Sequence, residues 1–339
     1  MLIHMPTSAR PHTDIRTLPP AGYVEGVYSI VNPQVGTTRA GKPYLKCLLR
    51  DATGEVVGRQ WSFDEKTIGE LSSAGFVWAA GHTQLYNGQV QFIIEQVKPV
   101  EVGEDELAAL LPTTRRNIDE MFQEVRGILD TLKHPAMKSL ADGYMADEEL
   151  MAGFRRAPAA ISLHHAFIGG LLEHTLQLLK LADVMLPLYP ALNRDIVLMG
   201  LFLHDLGKTA ELKWEKGFDY TADGNLIGHV VRGAIWLQVK AAIAAKQSGH
   251  RLPSDALRVL QHIILSHHGE PEYGAAKLPS TPEAIFIAIL DNLDAKTHMA
   301  LVNARPDQGP AVGSRGDFTD KLWALGTRLY RPDPLAGGE

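Results

Sequence analysis

The stretch GLFLHDLGK, residues 200–208, ends an apolar run with an adjacent histidine and aspartate and then a lysine. The imidazole of His204 and the carboxylate of Asp205 are both good ligands for divalent metal ions. Because they are neighbours, they can bind one ion, or two ions that share the carboxylate. This pair therefore predicts a metal site in an otherwise apolar core.

Further histidines and a carboxylate occur within or beside other apolar segments. They are His174, His229, His267, His268 and Asp291. A buried polar group without a partner costs about 1–3 kcal/mol, and metal coordination would satisfy the whole set. Ligands on one helix would lie three or four residues apart, and these do not. They must come from several helices that meet inside a bundle, and their number exceeds one coordination shell, so two ions are expected.

The composition is that of a globular protein with a sizeable core. The chain has 339 residues, 45% hydrophobic and 21% charged, which is enough for two domains. A net charge of −6 gives no global attraction to nucleic acid or to an anionic membrane. The single cysteine excludes an intramolecular disulfide, and there is no apolar run of membrane-helix length. We expect a cytoplasmic protein without membrane contact.

The N-terminal part has the alternation and turn signals of strands, with Asn32-Pro33 and residues 39–43 as breaks and Asn87-Gly88 as a hairpin turn. The predicted elements are strands over 23–30, 44–50, 55–61, 76–86 and 89–97 and a short helix over 64–72. This order is typical of the OB-fold, a small all-β barrel. We assign it to residues 14–100, after an N-terminal arm over 1–13.

OB-folds commonly bind single-stranded nucleic acid through basic and aromatic side chains. The candidate nucleic-acid-binding residues are Arg39, Lys42, Tyr44, Arg59, Trp61 and Phe63. Basic and acidic residues balance in this region, so charge alone does not establish binding. The alternative is that these aromatics form the barrel core and that the module serves protein interaction or oligomerisation.

The remainder of the chain reads as helical after an acidic linker over 101–116. Apolar residues recur at helical spacing, with Pro, Gly or Asn between the segments. Helices are predicted over 117–133, 136–151, 158–185, 195–203, 228–245, 254–268 and 281–301. The predicted architecture is thus multi-domain: an all-β OB-fold barrel followed by an all-α bundle over 117–302, with its core at 160–300. A loop and a short terminal helix or arm complete the chain over 303–339.

The order H…HD…H…HH…D resembles that of the HD-domain phosphohydrolases. The segments HHAFIGGLLEHT at 164–175, SHHG at 266–269, LDNLDAK at 290–296, GDFT at 316–319 and ALGTRLYRP at 324–332 resemble the YhaM family of 3′→5′ exoribonucleases more closely. That family joins an N-terminal OB-fold to a C-terminal HD domain, so the resemblance spans nearly the whole chain. One departure is YGAAKLP at 273–279, where the family tends to carry a Gly-Ser-Pro turn.

The resemblance implies how the ligands divide. One metal ion would be held by His174, His204, Asp205 and Asp291, and Asp205 would bridge to a second held by His229, His267 and His268. Mixed imidazole and carboxylate ligands suit Mn²⁺, which we favour, or Fe, Co or Zn. Lys208 would neutralise a phosphate oxygen beside Asp205; a solvated lysine at a helix end is the alternative.

The implied activity is metal-dependent 3′→5′ hydrolysis of single-stranded RNA, with single-stranded DNA as a further candidate substrate. The OB-fold would hold the strand, and a homo-oligomer of stacked OB-folds is left open. Four other residues would contact substrate or orient a ligand by a hydrogen bond, or have only structural roles: His164, His165, His262 and Asp294. Two alternatives are a phosphohydrolase of small nucleotides or cyclic dinucleotides and a non-catalytic single-strand-binding protein.

Overall fold

The computed structural model describes residues 11–38, 40–86, 89–103, 106–107, 110–161, 165–215, 217–305 and 316–335. The chain divides into two compact units. The first lies within Met1–Thr113, Glu215–Gly217 and Ala300–Glu339, and the second within Thr114–Trp214 and Phe218–Met299. The domain boundaries expected from the sequence stay predictions. The expected linker contains Leu110 and Leu111, which are buried, so it is not uniformly exposed.

Five strands of the first unit form a closed barrel in the order β1-β2-β3-β5-β4. Their bounds are β1 Gly22–Thr37, β2 Pro43–Asp51, β3 Gly54–Trp61, β4 Phe76–Tyr86 and β5 Gln89–Pro99, and helix α1, Ile68–Ala74, lies between β3 and β4. The β3–β5 pair is parallel, and the other pairs are antiparallel. The OB-fold prediction is confirmed by this barrel.

Alternation along β2 separates the barrel core from its surface. Leu45, Cys47 and Leu49 are buried, so Tyr44 and Lys46 point outward.

Two local expectations for the barrel were wrong. Phe63 was a candidate for nucleic-acid binding, but it is only 5% exposed and belongs to the barrel core. Its backbone N–H donates to the Pro43 carbonyl at 3.2 Å, which turns the chain back over the barrel end. The predicted break at Asn32-Pro33 does not end β1. The pairing of β1 with β2 shifts its register between Val31 and Gln34 and then continues to Thr37.

The start of the described chain is fixed to the barrel by Asp51, which is 1% exposed. Its carboxylate accepts the N–H of Ile15 at 2.8 Å and the N–H groups of Thr53 and Gly54 at 2.7 and 3.0 Å. His12 Nε2 lies 3.3 Å from the same carboxylate. These bonds occupy both oxygens, so Asp51 acts as a structural anchor.

The second unit is a helical bundle around one apolar core, which confirms the predicted fold class. Its helices are α2 Ile118–Leu129, α3 Pro135–Met145, α4 Glu148–Arg156, α5 Gly170–Met185, α6 Arg194–Leu203, α7 Lys208–Glu211, α8 Ala222–Leu226, α9 His229–Ser248, α10 Ser254–Ser266 and α11 Pro282–Ala304, and a small hairpin pairs β6 Leu212–Lys213 with β7 Asp219–Tyr220. No helix in the described part of the chain has the length and apolar character needed to span a bilayer.

Three helix predictions need correction. Residues 136–151 belong to two helices, because Asp147 caps α4 through the N–H of Leu150 at 3.1 Å. The segment 158–169 is not helical where described; His165 and Gly169 have φ values of 47° and 82°, and α5 begins only at Gly170. For the C-terminal segment, expected to be a short helix or an arm, the helix is wrong: within 316–335 bridges join Phe318 to Tyr330 and Leu322 to Thr327.

Candidate metal centre and nucleic-acid interface

The predicted metal ligands come from five helices that converge in the bundle. Two of them lie inside a helix, His174 in α5 and Asp291 in α11. The others sit at helix ends: His204-Asp205 follow α6, His229 begins α9, and His267-His268 follow α10. At a helix end the backbone turns, so the side chains of adjacent residues can face the same centre.

Asp205 occupies the middle of this cluster and is 2% exposed. Its Oδ2 lies 3.4 Å from His204 Nε2 and 3.8 Å from His174 Nε2. Its Oδ1 lies 3.4 Å from His267 Nε2 and 3.5 Å from His229 Nε2. The two oxygens of one carboxylate therefore face two different groups of imidazoles.

Each group is completed by a further predicted ligand. Asp291 Oδ1 lies 3.2 Å from His174 Nε2, and His268 Nε2 lies 3.3 Å from His229 Nε2. Burial and the adjacent His267 lower the pKa of His268 to about 3, so its imidazole is neutral and able to act as a ligand. The structure thus brings together all seven residues whose ligand role the sequence predicted.

The hydrogen bonds of the Nδ1 atoms, which point away from Asp205, show that Nε2 is the ring nitrogen left to bind a metal ion. His204 Nδ1 donates to the Leu201 carbonyl at 2.7 Å, and His267 Nδ1 donates to the Ile264 carbonyl at 2.9 Å. In the neutral imidazoles, Nε2 then carries a lone pair. Both Nε2 atoms and Asp205 Oδ1 are buried without a hydrogen-bond partner among the described residues. Lone pairs that face a carboxylate repel unless a cation lies between them, so these residues fit a divalent metal ion.

Two carboxylates outside the ligand set orient the imidazoles. Asp294 Oδ2 accepts from His174 Nδ1 at 2.8 Å and from His165 Nε2 at 3.0 Å. Glu211 Oε2 lies 2.6 Å from His229 Nδ1. Each contact leaves Nε2 of the ligand facing Asp205, which is how outer carboxylates usually fix a metal-binding histidine.

Lys208 is buried beside the same centre, with Nζ 2.7 Å from Asp205 Oδ2. Burial alone would lower the pKa of Lys208, but the Asp205 carboxylate outweighs it and raises the pKa above its ordinary value. Burial would likewise raise the pKa of Asp205, yet the charge of Lys208 holds it well below its usual range. Lys208 is therefore a fixed positive charge at the centre.

The barrel carries an aromatic and basic surface. Tyr44 and Trp61 are direct partners across β2 and β3, with ring centroids 5.2 Å apart, and Trp61 is 47% exposed. The Arg59 guanidinium lies 6.0 Å from the centre of the Tyr86 ring, and Lys46 is paired with Arg59 in the register. Among the other candidates, Lys42 is exposed and Arg39 lies outside the described residues.

Comparison with known proteins agrees with this arrangement. The family model described as HD domain matches residues 171–296. The chain is 33% identical to the 3'-5' exoribonuclease YhaM of Bacillus subtilis (strain 168) over 304 residues, which cover 88% of this chain and 91% of that protein. The chain belongs to the YhaM family. A second YhaM relative, from Geobacillus sp. (strain WCH70), is 31% identical over 303 residues and 88% of each chain.

A solved structure also matches, the second OB-fold domain of replication protein A from Methanococcus maripaludis. It is 16% identical, covers 27% of this chain and 97% of that chain, and has a TM-score of 0.21. The strand order, and not this match, identifies the barrel. In this YhaM-family chain the HD region contains every predicted metal ligand, from His174 to Asp291.

The remaining predicted residues are placed as follows. His165 and Asp294 belong to the hydrogen-bonded system around His174. His262 is half-buried, and its Nε2 accepts the N–H of Ser280 at 2.8 Å, so it is not part of the cluster. His164 lies outside the described residues.

Four residues with side chains in these sites were not predicted from the sequence: Glu211, Lys46, Tyr86 and His298, whose ring stacks on that of His165. A local signal existed for two of them. Glu211 follows Lys208 by one helical turn, and Lys46 shares the outer face of β2 with Tyr44.

Proposed function

We propose that this protein is a metal-dependent 3′→5′ exoribonuclease that releases nucleoside 5′-monophosphates from single-stranded RNA. The observation that carries the proposal is the Asp205 carboxylate, whose two oxygens face two separate imidazole groups in a buried centre. The relatives named as 3'-5' exoribonucleases match along nearly their whole length and support the same activity.

The proposed centre holds two divalent cations. His174, His204, Asp205 and Asp291 would hold one, and Asp205, His229, His267 and His268 the other. Mixed nitrogen and oxygen ligation favours Mn²⁺, with Fe, Co and Zn as alternatives. When bound, such cations polarise a phosphodiester and lower the pKa of water.

The chain's own groups position the reaction. Asp205, held by Lys208 at 2.7 Å, fixes the charge at the middle of the centre, and Lys208 provides a positive charge for a non-bridging phosphate oxygen. In the hydrolysis, water forms a bond to phosphorus while the bond from phosphorus to the ribose 3′-oxygen breaks. The 3′-oxygen leaves with a proton, and the terminal nucleotide departs as its 5′-monophosphate.

The barrel surface would hold the strand. Tyr44 and Trp61 offer rings for base stacking, and Arg59 and Lys42 offer positive charge for phosphates. Stacking is tolerant of sequence and of sugar, so single-stranded DNA is included as a further substrate. A homo-oligomer and a cytoplasmic location stay predictions.

The test is incubation of 5′-labelled single-stranded RNA with the purified protein and Mn²⁺, with products resolved on a sequencing gel. We expect a ladder that shortens from the 3′ end. The Asp205→Asn variant keeps the size of the side chain but removes its charge. We expect a loss of rate of at least about 100-fold, the lower end of the loss found when one group that stabilises a transition state is removed.

Intact RNA with each of Mn²⁺, Fe²⁺, Co²⁺ and Zn²⁺ would contradict the proposal. Hydrolysis of a cyclic dinucleotide in the same preparation would then favour a small-nucleotide phosphohydrolase. Metal-dependent strand binding without turnover would favour a binding protein. If Asp205→Asn shortened the RNA as fast as the unaltered protein, the hydrolysis would not take place at this centre.

A further inference from the structure

A cluster of three aromatic rings lies next to the metal centre, on the side of His174. His298 is on α11, seven residues after Asp291, so the two residues lie on the same face of that helix, two turns apart. The His165 and His298 rings stack with centroids 4.0 Å apart and an angle of 24°. Phe167 completes the cluster, with its ring centroid 5.6 Å from that of His165 and 6.1 Å from that of His298.

The cluster is joined to the centre through its inner ring. His165 is 3% exposed and donates from Nε2 to Asp294, which also accepts from His174 Nδ1. The His165 and His174 ring centroids are 5.5 Å apart. The stack of His165 and His298 is therefore only one ring removed from a predicted metal ligand.

The outer rings are accessible. His298 and Phe167 are both half-buried, in contrast to His165. The face of the His298 ring that stacks on His165 is covered at 4.0 Å, so the exposed part of His298 lies away from that face. Aromatic surface next to a buried charged centre is available for a flat ligand.

His298 is also uncharged at neutral pH. The backbone N–H of His165 points to His298 Nδ1 at 3.5 Å, which requires a lone pair on that nitrogen. Burial and the neighbouring His165 lower the pKa of His298 to about 4, in agreement with this geometry. An uncharged ring does not attract the phosphate away from the metal centre. Its π-face can stack on any of the four bases.

We propose that His298 and Phe167 form the stacking site for the base of the 3′-terminal nucleotide, the one released as a monophosphate. This inference rests on the proposed function, because it assumes that the phosphate of that nucleotide lies at the metal centre. The site recognises a nucleobase without reading its edges, so it takes all four nucleotides. It differs from the barrel surface, which would hold the strand elsewhere.

The experiment compares adenosine 5′-monophosphate with ribose 5-phosphate, which lacks the base. Equilibrium binding of each to the Mn²⁺-loaded protein is measured by calorimetry, independently of RNA hydrolysis. We expect the nucleotide to bind about tenfold more tightly, the usual size of one base stack.

His298→Leu keeps the bulk but removes the π-face, and should abolish most of this preference. His298→Phe should retain it, and Phe167→Leu should reduce it. His250→Ala, at an exposed position beyond α9, is the control and should change neither affinity.

Three results would overturn the proposal. They are equal binding of the two ligands by the unaltered protein, an unchanged preference in His298→Leu, and loss of the preference in His298→Phe as well. The last result would mean that His298 only positions His165, which in turn holds Asp294. If the proposed function were wrong, the result would differ: RNA would stay intact, whatever the ratio of the affinities for adenosine 5′-monophosphate and ribose 5-phosphate.

Discussion

At the scale of single residues, Glu211 determines which nitrogen of His229 can bind a metal ion. Its Oε2 is 2.6 Å from His229 Nδ1, which holds the proton there and leaves Nε2 free toward Asp205. In Glu211→Gln the amide can donate to Nδ1 and push the proton to Nε2. We therefore expect Mn²⁺ affinity to fall by about 10–100-fold, as found for other outer carboxylates.

The measurement for Glu211→Gln is a Mn²⁺ titration followed by calorimetry. Asp223→Asn is a matched control, because this carboxylate pairs with Arg232 on the surface and touches no predicted ligand. Equal affinities for Glu211→Gln and the unaltered protein, or an equal loss in Asp223→Asn, would exclude a role for Glu211 at the centre.

At the scale of elements, the turn between α6 and α7 lies directly against the start of α9. A Cβ atom on Gly207 would lie 2.2 Å from the carbonyl oxygen of His229, so only glycine allows this approach. We expect Gly207→Ala to separate Asp205 from His229. The free energy of unfolding should fall by about 1–3 kcal/mol, as for other overpacked sites, and Mn²⁺ affinity should fall with it.

Denaturant unfolding checks the Gly207 prediction, with Gly127→Ala as the control. Gly127 lies in α2 and has no atom within 4 Å of the position of an added Cβ. The same substitution there should raise the free energy of unfolding by about 0.5–1 kcal/mol, because alanine is the better helix former. Equal stabilities for the two variants would show that the contact to His229 has no consequence.

Elements with a local signal could be predicted from the sequence, and elements set by distant contacts could not. The strand over 76–86 has the predicted bounds, because the residues that predict it and the Asn87-Gly88 turn signal after it belong to the segment itself. By contrast, the path before α5 depends on His165, whose carbonyl oxygen would lie 2.0 Å from a Cβ on Gly170. The periodicity of apolar residues contains no information about such a contact, so the predicted helix began before the observed start of α5 at Gly170.

The same limit applies to the sites. The metal ligands were found because their order along the chain is a property of the sequence. Glu211 and His298 were missed because each acts on an imidazole from another segment. Phe63 was misplaced because its burial depends on how the chain after β3 turns over the start of β2.

At the scale of the whole molecule, the predicted ligands all lie in the second unit and none lies in the barrel. Removal of metal should therefore loosen the helices that carry ligands. In the absence of a cation, lone pairs of His204 and His267 face the Asp205 carboxylate, and that repulsion opposes the closed centre.

Hydrogen exchange followed by mass spectrometry measures this effect segment by segment. With Mn²⁺ at about 100 times its dissociation constant, amides that exchange through opening of the bundle should slow by about 100-fold relative to the chelated protein. The slowing should appear in α5, α6, α9, α10 and α11. Strands β1–β5 serve as the internal reference, because no predicted ligand belongs to them.

Asp205→Asn is the deciding variant in that measurement. Because Asp205 faces both imidazole groups, its loss should remove the Mn²⁺-dependent slowing from α5 and α11 together with that from α9 and α10. If Asp205→Asn lost the slowing in only one pair of helices, the two groups would bind metal independently. The carboxylate would then not be shared, and the proposed two-cation centre would be wrong.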